Sequence, residues 1–421
     1  MWKTRRRLGL LGLLFGLGLF LAACNTGTTG DGGGGGGGGG GDGGGTAVTV
    51  TVTAPGATAA AYQVGSGSWQ TASDPESFTF EVPGGGAYQV AVYCGGSGDP
   101  VLLFSLTTDE LTALADLCGG GGDGGGTVSF TVNYTVTGVS GAAGVVLYHK
   151  AGTAFGLGPA GTISVTNGVA GEQDLVLVVY DGSQNPLAAK LKTVTVSTGG
   201  SYAINVTGAD AIGLKNFDFT GAVPSGWPQA GYGVISWTAR GTGVPAGGGM
   251  GASGPYADFP FAERTAFLAY AADDVGTPTD YLAFAKSVAG NDAPAVTFLG
   301  PINPSAAAAS GALLEVSGLT LPDGLLGYRI ELGDVPTPIH AQVSAGYLGN
   351  ATSYTVPDLS GLGGFPPPPT GTVTVKVELI VSNRTLGELL DALRRDEQNF
   401  WSLIEGLELR VAGHRITVSL P

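Results

Sequence analysis

The alternation of apolar and polar residues predicts β-strands along most of the chain. Residues 47–52 read Ala-Val-Thr-Val-Thr-Val, and residues 77–82 read Ser-Phe-Thr-Phe-Glu-Val. A period of two places every second side chain on the same face of a strand. Similar short stretches continue to the C-terminus, separated by turn signals such as Asn167-Gly168. This pattern predicts a mainly β protein built of tandem antiparallel β-sandwich modules.

Two identical glycine tracts divide the first part of the chain. Residues 38–46 and 119–127 both read GGGGDGGGT, and an alternating strand follows each tract. Because such segments have no side chains to bury, they predict flexible spacers between folded modules. The predicted organisation is a leader at residues 1–23, a tether at 24–45, module 1 at 46–118, a linker at 119–126, module 2 at 127–215, module 3 at 216–300 and a C-terminal β module at 301–421.

Helical periodicity is strongest near the C-terminus. Thr385 and Glu388 have the spacing of a capping box. The apolar residues that follow predict an amphipathic helix at about 386–405 that packs on its own sheet, with a partner-binding or lipid-surface helix as the alternative. A second capping-box pair, Thr107 and Glu110, predicts a short helix at 107–117. We also predict that residues 241–254, which are rich in glycine, form a mobile loop.

The N-terminus has the order of an export signal. A basic segment at residues 1–7 precedes an apolar segment at 8–20, which is shorter than the ~20 residues of a membrane-spanning helix. The following run, Leu-Ala-Ala-Cys at 21–24, resembles the lipobox of bacterial lipoproteins. The alternative is an ordinary secretory signal with an incidental cysteine.

The lipobox resemblance implies cleavage before Cys24 and attachment of lipid to its thiol. Two or more acyl chains would anchor the chain stably in a membrane. Asn25 stands where an aspartate would resemble an inner-membrane retention signal, so the resemblance favours the outer membrane or the cell surface. The strand pattern of the body resembles tandem immunoglobulin-like or carboxypeptidase-regulatory-like β-sandwich modules, and this resemblance carries over no catalytic residue.

The charge balance excludes nucleic acid as a partner. The formal net charge is −15, and no lysine or arginine lies between Cys24 and His149. Four of the 18 basic residues and none of the 33 acidic residues precede Cys24, so a chain that begins there carries −19. Binding to phosphate backbones requires a basic surface, and binding to anionic lipid by charge requires the same.

Two further cysteines, Cys94 and Cys118, lie within module 1. Exported proteins meet an oxidising environment, where two cysteines in one small module favour a disulfide. The alternative is a pair of buried thiols. The disulfide would close a short loop and tie the end of module 1 onto its sheet.

The candidate ligand-binding residues are few. Trp227, Tyr232 and Trp237 are candidate aromatic platforms for a sugar, with burial in the core as the alternative for the strand residue Trp237. Three carboxylates near a predicted hairpin are candidates for a Ca²⁺ site: Asp273, Asp274 and Asp280. The alternatives are that they are solvated loop acids or catalytic acids. No other metal or cofactor is predicted, because the three histidines lie far apart and no catalytic motif occurs.

Three functions are consistent with these features. The first is a non-enzymatic envelope lipoprotein with a structural, adhesion or display role. The second is a lipoprotein that binds carbohydrate or cell-wall polymer through loop aromatics. The third is an enzyme whose site is assembled from loop carboxylates. The predicted partners are membrane lipid, through acylated Cys24, and a glycan, a cell-wall polymer or another envelope protein.

Overall fold

The computed structural model describes residues 46–96, 98–115, 117–118, 127–389 and 406–421. The predicted leader, Cys24, the tether, the linker and most of the predicted helix at 386–405 lie outside these residues. Among the residues that are described, no helix is both long enough and apolar enough to cross a bilayer.

The described chain is mainly β, as predicted. The first segment contains β1 (Ala47–Thr53), β2 (Ala59–Val64), β3 (Gln70–Thr71), β4 (Ser77–Pro83), β5 (Ala87–Tyr93), β6 (Val101–Thr107) and β7 (Ala113–Leu114). The second contains β8 (Thr127–Thr137), β9 (Gly144–His149), β10 (Gly152–Leu157), β11 (Ala160–Val169), β12 (Gly171–Tyr180), β13 (Pro186–Val196) and β14 (Gly200–Thr207).

The remaining strands follow after residue 212. They are β15 (Gly213–Asp218), β16 (Gln229–Trp237), β17 (Gly243–Met250), β18 (Ser253–Asp258), β19 (Arg264–Ala272), β20 (Asp280–Ala289), β21 (Ser305–Ala308), β22 (Leu314–Ser317), β23 (Leu325–Gly333), β24 (Ile339–Ser344), β25 (Ser353–Val356), β26 (Gly371–Ser382) and β27 (Glu408–Leu420). A short helix, α1 (Ala345–Leu348), follows β24, and two 3₁₀ turns occur at Gly208–Asp210 and Thr220–Ala222.

A twelve-stranded central sheet organises the fold. Its order is β17-β16-β19-β20-β27-β26-β23-β24-β6-β5-β2-β3. All neighbouring pairs are antiparallel except β24 and β6, which pair in parallel. Strands from the predicted modules 1 and 3 and the C-terminal module therefore share one sheet instead of forming three separate sandwiches.

Apolar clusters lie on both faces of the central sheet. Val411 and Ala412 are neighbours on β27, so their side chains point to opposite faces. On face 1, the face of Val411, the small sheet β4-β1-β7 packs over β2, β5 and β6. On face 2, the face of Ala412, the small sheet β21-β22-β25 contributes to a second apolar cluster.

Residues 127–207, within the predicted module 2 at 127–215, form a sandwich of their own, in which β14 pairs in parallel with β8. The sheets β10-β9-β12-β13 and β11-β8-β14 enclose an apolar core that includes Phe130 and Leu147. The outer face of the first sheet packs against an aromatic layer on face 2 that includes Phe267 and Phe284. The Thr242 Oγ1 donates a hydrogen bond to the Asp174 carbonyl at 2.7 Å across this boundary. Module 2 is therefore docked on the central sheet.

The predicted helix at 107–117 is wrong. Glu110 accepts hydrogen bonds from the backbone and hydroxyl of Thr107, as a capping box requires, but it also accepts one at 2.8 Å from the Gly346 amide in α1. The chain then extends, because β7 pairs in parallel with β1. Tertiary pairing therefore replaces the helix after a single turn.

The prediction of a mobile loop at 241–254 is also wrong. These residues form β17 and the start of β18. A side chain at Gly247 would collide with Pro255 and Tyr256, so glycine here permits close approach of the two strands instead of disorder. The capping contacts at Thr385 and Glu388 are present, and residues 386–389 are helical.

The predicted disulfide joins Cys94 and Cys118. Cys94 follows the end of β5, and Cys118 immediately precedes the predicted linker. The bond closes a loop across a sequence separation of 24 and holds the end of module 1 beside the central sheet.

Replacing both Cys94 and Cys118 by alanine should lower the free energy of unfolding by about 3 kcal/mol, because the unfolded chain regains the entropy of the opened loop. Urea unfolding followed by tryptophan fluorescence measures this loss. Dithiothreitol should destabilise the wild-type chain by a similar amount and leave the double variant unchanged. Equal unfolding midpoints for the oxidised wild type and the double variant would contradict the stabilising role.

Candidate functional site

The three candidate aromatic residues do not share a groove. Tyr232 is buried on β16, and its hydroxyl donates a hydrogen bond to the Pro255 carbonyl at 2.9 Å. Trp237, at the end of the same strand, is buried in the face 1 cluster, whereas Tyr232 lies in the aromatic layer on face 2. Trp227 is half-buried against the other face 2 cluster. The expected platform of three exposed rings is therefore not formed.

The three candidate carboxylates make separate local contacts. Asp280 Oδ1 lies 2.7 Å from His414 Nδ1 on the neighbouring strand β27. Asp274 accepts a hydrogen bond from the Val275 amide, and the Asp273 amide donates to the Asp280 carbonyl at 3.1 Å. Within the described part of the chain, no group of three histidine, cysteine or acidic residues has the geometry to hold a metal ion.

A different set of polar residues comes together on face 1. We call it the polar strip, and it consists of Tyr281 on β20, Arg329 and Glu331 on β23, His340 on β24, and Lys376 and Glu378 on β26. The register of the strands brings these residues together. Glu378 is paired with Arg329 on β23 and with Gly413 on β27, and Gly413 is in turn paired with Tyr281 on β20. The strip thus spans five adjacent strands of the central sheet.

Gly413 allows the Tyr281 ring to cross β27. A Cβ atom at position 413 would overlap the ring of Tyr281. With glycine in this position, the Tyr281 hydroxyl reaches beyond β27 and donates a short hydrogen bond to Glu378 Oε1 on β26. Both Tyr281 and Glu378 are buried. A glycine in the middle of a long strand therefore has a specific packing function.

Positive and negative charges alternate along the strip. Lys376 Nζ lies 3.0 Å from Glu378 Oε1, and the Arg329 guanidinium lies 3.7 Å from Glu378 and 3.3 Å from Glu331. His340 Nε2 lies 3.6 Å from Glu331 Oε1. The Lys376 ammonium also lies over the Tyr281 ring, 5.5 Å from its centroid. Each buried charge thus has an oppositely charged neighbour.

The surroundings move the pKa values of the strip in opposite directions. Burial raises the pKa of Glu378, but Lys376, Arg329 and hydrogen bonds to the carboxylate outweigh burial, so the net pKa is lowered. Burial and the charge of Glu378 raise the pKa of Tyr281 well above its ordinary value. At neutral pH, Glu378 is therefore ionised and Tyr281 is neutral. This protonation pattern suits a fixed hydrogen bond better than exchange of a proton with a substrate.

A groove on face 2 lies beside the proline run 366–369. Its lining includes Leu103, Ile339 and Phe365, and its volume is ≈ 20 Å³. A volume of about 10–15 Å³ holds one water, so this groove is far smaller than a pocket for an organic ligand. The four prolines form one wall of the groove.

His149 is an unusual member of the module 2 core. Its side chain is buried, and neither ring nitrogen has a hydrogen-bond partner. The ring packs edge-on against Phe130, with 5.9 Å between the ring centroids. Burial lowers the pKa of His149, because the apolar core cannot solvate the imidazolium form.

The comparisons with known proteins add no family. No model of a protein family matches the chain, and no curated protein sequence matches it.

The sequence contained an overlooked signal for the polar strip. Residues 328–332 read Tyr-Arg-Ile-Glu-Leu, and residues 375–379 read Val-Lys-Val-Glu-Leu. Charged residues at alternating positions usually indicate a solvent-facing side of a strand. Two such strands with complementary charges also predict cross-strand ion pairs, but only the register shows that Glu378 lies opposite Arg329.

Substituting Gly413→Ala should lower the free energy of unfolding by about 2–3 kcal/mol, because the new methyl group displaces Tyr281 and leaves Glu378 without its hydroxyl donor. Gly333→Ala on β23 is the matched control, since a Cβ atom at Gly333 meets no atom within 4 Å. That control should change stability by less than about 1 kcal/mol. Chemical denaturation measures both, and a Gly413→Ala chain as stable as the control would refute the packing argument.

Acid should destabilise the chain partly through His149. Below about pH 6.5, the ordinary pKa of histidine, His149 binds a proton in the unfolded chain but not in the folded chain. The free energy of unfolding therefore decreases as the pH is lowered, until the pH passes the lowered pKa of His149 in the folded chain. A His149→Leu chain lacks this contribution. The unfolding free energy of the wild type minus that of the variant should therefore decrease by up to about 1.4 kcal/mol for each unit by which the pH is lowered.

Urea titrations at several pH values between 7.5 and 5 would measure that difference. The pKa of His340 is also lowered by burial, but its contribution is common to both chains and cancels. Parallel stability curves for the wild type and His149→Leu would show that His149 does not contribute.

Proposed function

We propose that this protein is an exported, lipid-anchored envelope protein whose β-rich body has a structural, adhesion or display role without catalysis. The Cys94–Cys118 disulfide carries the proposal. Structural disulfides persist in exported proteins and are rare in the cytosol. The disulfide thus supports export, and the resemblance of residues 21–24 to a lipobox supports attachment through Cys24.

The continuity of the central sheet supports a body that acts as one piece. β6 and β24 belong to distant parts of the chain, yet they pair along Val101–Ser105 and Ile339–Val343. The Gln89 amide and the Ser105 hydroxyl are hydrogen-bonded at 2.8 Å beside this joint, and Tyr354 joins the same buried group. A body held together in this way can present a surface in a fixed orientation.

The electrostatics of the polar strip favour the non-catalytic alternative. A general acid or base is most effective when its pKa lies near the working pH. The pKa shifts of Glu378 and Tyr281 lead away from neutrality instead. The burial of Tyr232 and Trp237 likewise removes two of the three aromatic residues on which the carbohydrate-binding alternative depended.

Cells that express the wild-type chain should incorporate an alkyne fatty acid into it, and Cys24→Ala should abolish the label, because the thiol is the proposed attachment point. The Cys94→Ala/Cys118→Ala chain is the control and should keep the label. Fractionation should place the wild type with the membranes, and mass spectrometry should detect the Cys94–Cys118 linkage in it. Label retained by Cys24→Ala, or free thiols in a cytosolic wild-type chain, would refute the proposal.

A further inference from the structure

Two large apolar side chains stand exposed on strand β10. Phe155 is 73% exposed and Leu157 is 85% exposed. They are two residues apart on one strand, so they point to the same side. Among the exposed large apolar residues in the described part of the chain, they are the one pair that shares a strand and a face. Single exposed apolar residues are common, whereas adjacent ones form a patch.

Phe155 and Leu157 lie at the margin of a buried apolar layer. Phe155 lies opposite Val146 on β9, and Val146 lies opposite Val178 on β12. Val178 is buried in the aromatic layer between module 2 and the central sheet, and Val146 packs against that layer. β10 lies at the edge of its sheet, beyond this cover. The outward side chains of β10, Phe155 and Leu157, are therefore apolar, and contacts with the described chain do not bury them.

The patch differs from the other edge of the same sheet. β13 forms that edge and carries Lys190 and Lys192, charges of the kind that protect edge strands. β10 carries no charge. The carbonyl of Leu157 already accepts a hydrogen bond from the Tyr134 hydroxyl at 2.7 Å. Because this backbone carbonyl of the edge strand is already hydrogen-bonded, contact with a partner through the side chains is favoured over addition of a strand from the partner.

The chain segment that carries the patch contains no acidic residue. Residues 127–171 contain no aspartate or glutamate, although the whole chain carries a net charge of −15. Lys150 lies in the turn that leads into β10. The next acid, Glu172, is paired with Arg240 at 2.7 Å, and Asp174 is buried. Asp181 follows Tyr180, which lies two strands away from Leu157 in the same sheet, so an anionic surface can approach closely at the other end of β10, near Phe155 and Lys150.

We propose that Phe155 and Leu157 insert into the surface of a lipid membrane and orient the body on it. Transfer of apolar side chains from water into the interfacial zone of a bilayer lowers the free energy, and an anionic headgroup layer meets little repulsion at the end of β10 near Lys150. The proposal rests on the proposed function in one respect, because a lipid on Cys24 would hold the body near a membrane. The contact itself requires only β10.

Vesicle co-sedimentation tests this contact separately from the anchor. The probe is a vesicle of phosphatidylethanolamine and phosphatidylglycerol at 3:1, and the protein is residues 25–421, secreted without lipid and retaining every described residue. This chain should partition onto vesicles, and Phe155→Ser/Leu157→Ser should lower the partition coefficient at least about ten-fold. Val275→Ser is the matched control, since Val275 is 66% exposed beside Asp274, and it should leave partitioning unchanged.

Different outcomes separate the two proposals. Absence of vesicle binding by the unlipidated chain, or equal binding by the double serine variant, would overturn the role of β10 while leaving Cys24 labelling intact. Loss of Cys24 labelling with retained vesicle binding would overturn the anchor alone. Dimers that form in buffer and disappear in the double serine variant, without vesicle binding, would assign the patch to a second copy of the chain and also overturn the lipid proposal.

Discussion

Backbone hydrogen bonds between β6 and β24 join the beginning of the folded chain to its C-terminal part, and the central sheet depends on this joint. The two strands pair in parallel from Val101 opposite Ile339 to Ser105 opposite Val343. Closing so long a loop costs conformational entropy, which the apolar residues buried on both faces of the joint help to offset. Beside it, Glu110 accepts a hydrogen bond from the Gly346 amide, so a polar contact fixes the same register.

The polar strip constrains the middle of the sheet in a comparable way. Glu378 is buried, and a buried charge without partners would cost several kcal/mol. Here Arg329 and Lys376 lie beside it, and Tyr281 donates a hydrogen bond across Gly413. A shift of β27 or β26 by one residue would move these partners to the other face. The strip therefore helps to specify the register of these strands.

Modules 1 and 2 join the central sheet in different ways. Module 1 is drawn into the sheet, and the disulfide holds its last residues beside the point where the predicted linker begins. Module 2 keeps its own sandwich and docks through one sheet, which leaves the edge strand β10 outside the interface with Phe155 and Leu157 exposed. Docking thus accounts both for the buried aromatic layer and for the apolar patch at its margin.

Local pattern was sufficient for the mainly β class, the module 2 sandwich and the Cys94–Cys118 disulfide. These features depend on alternation, turn residues and two cysteines in one segment, all of which can be read within a short stretch of chain. The merger of three predicted modules, the burial of Tyr232 and Trp237 on opposite faces, and the pairing of Glu378 with Arg329 depended on tertiary structure. Each is set by register and packing between distant strands, and alternation shows that a residue faces one side without showing what lies opposite it.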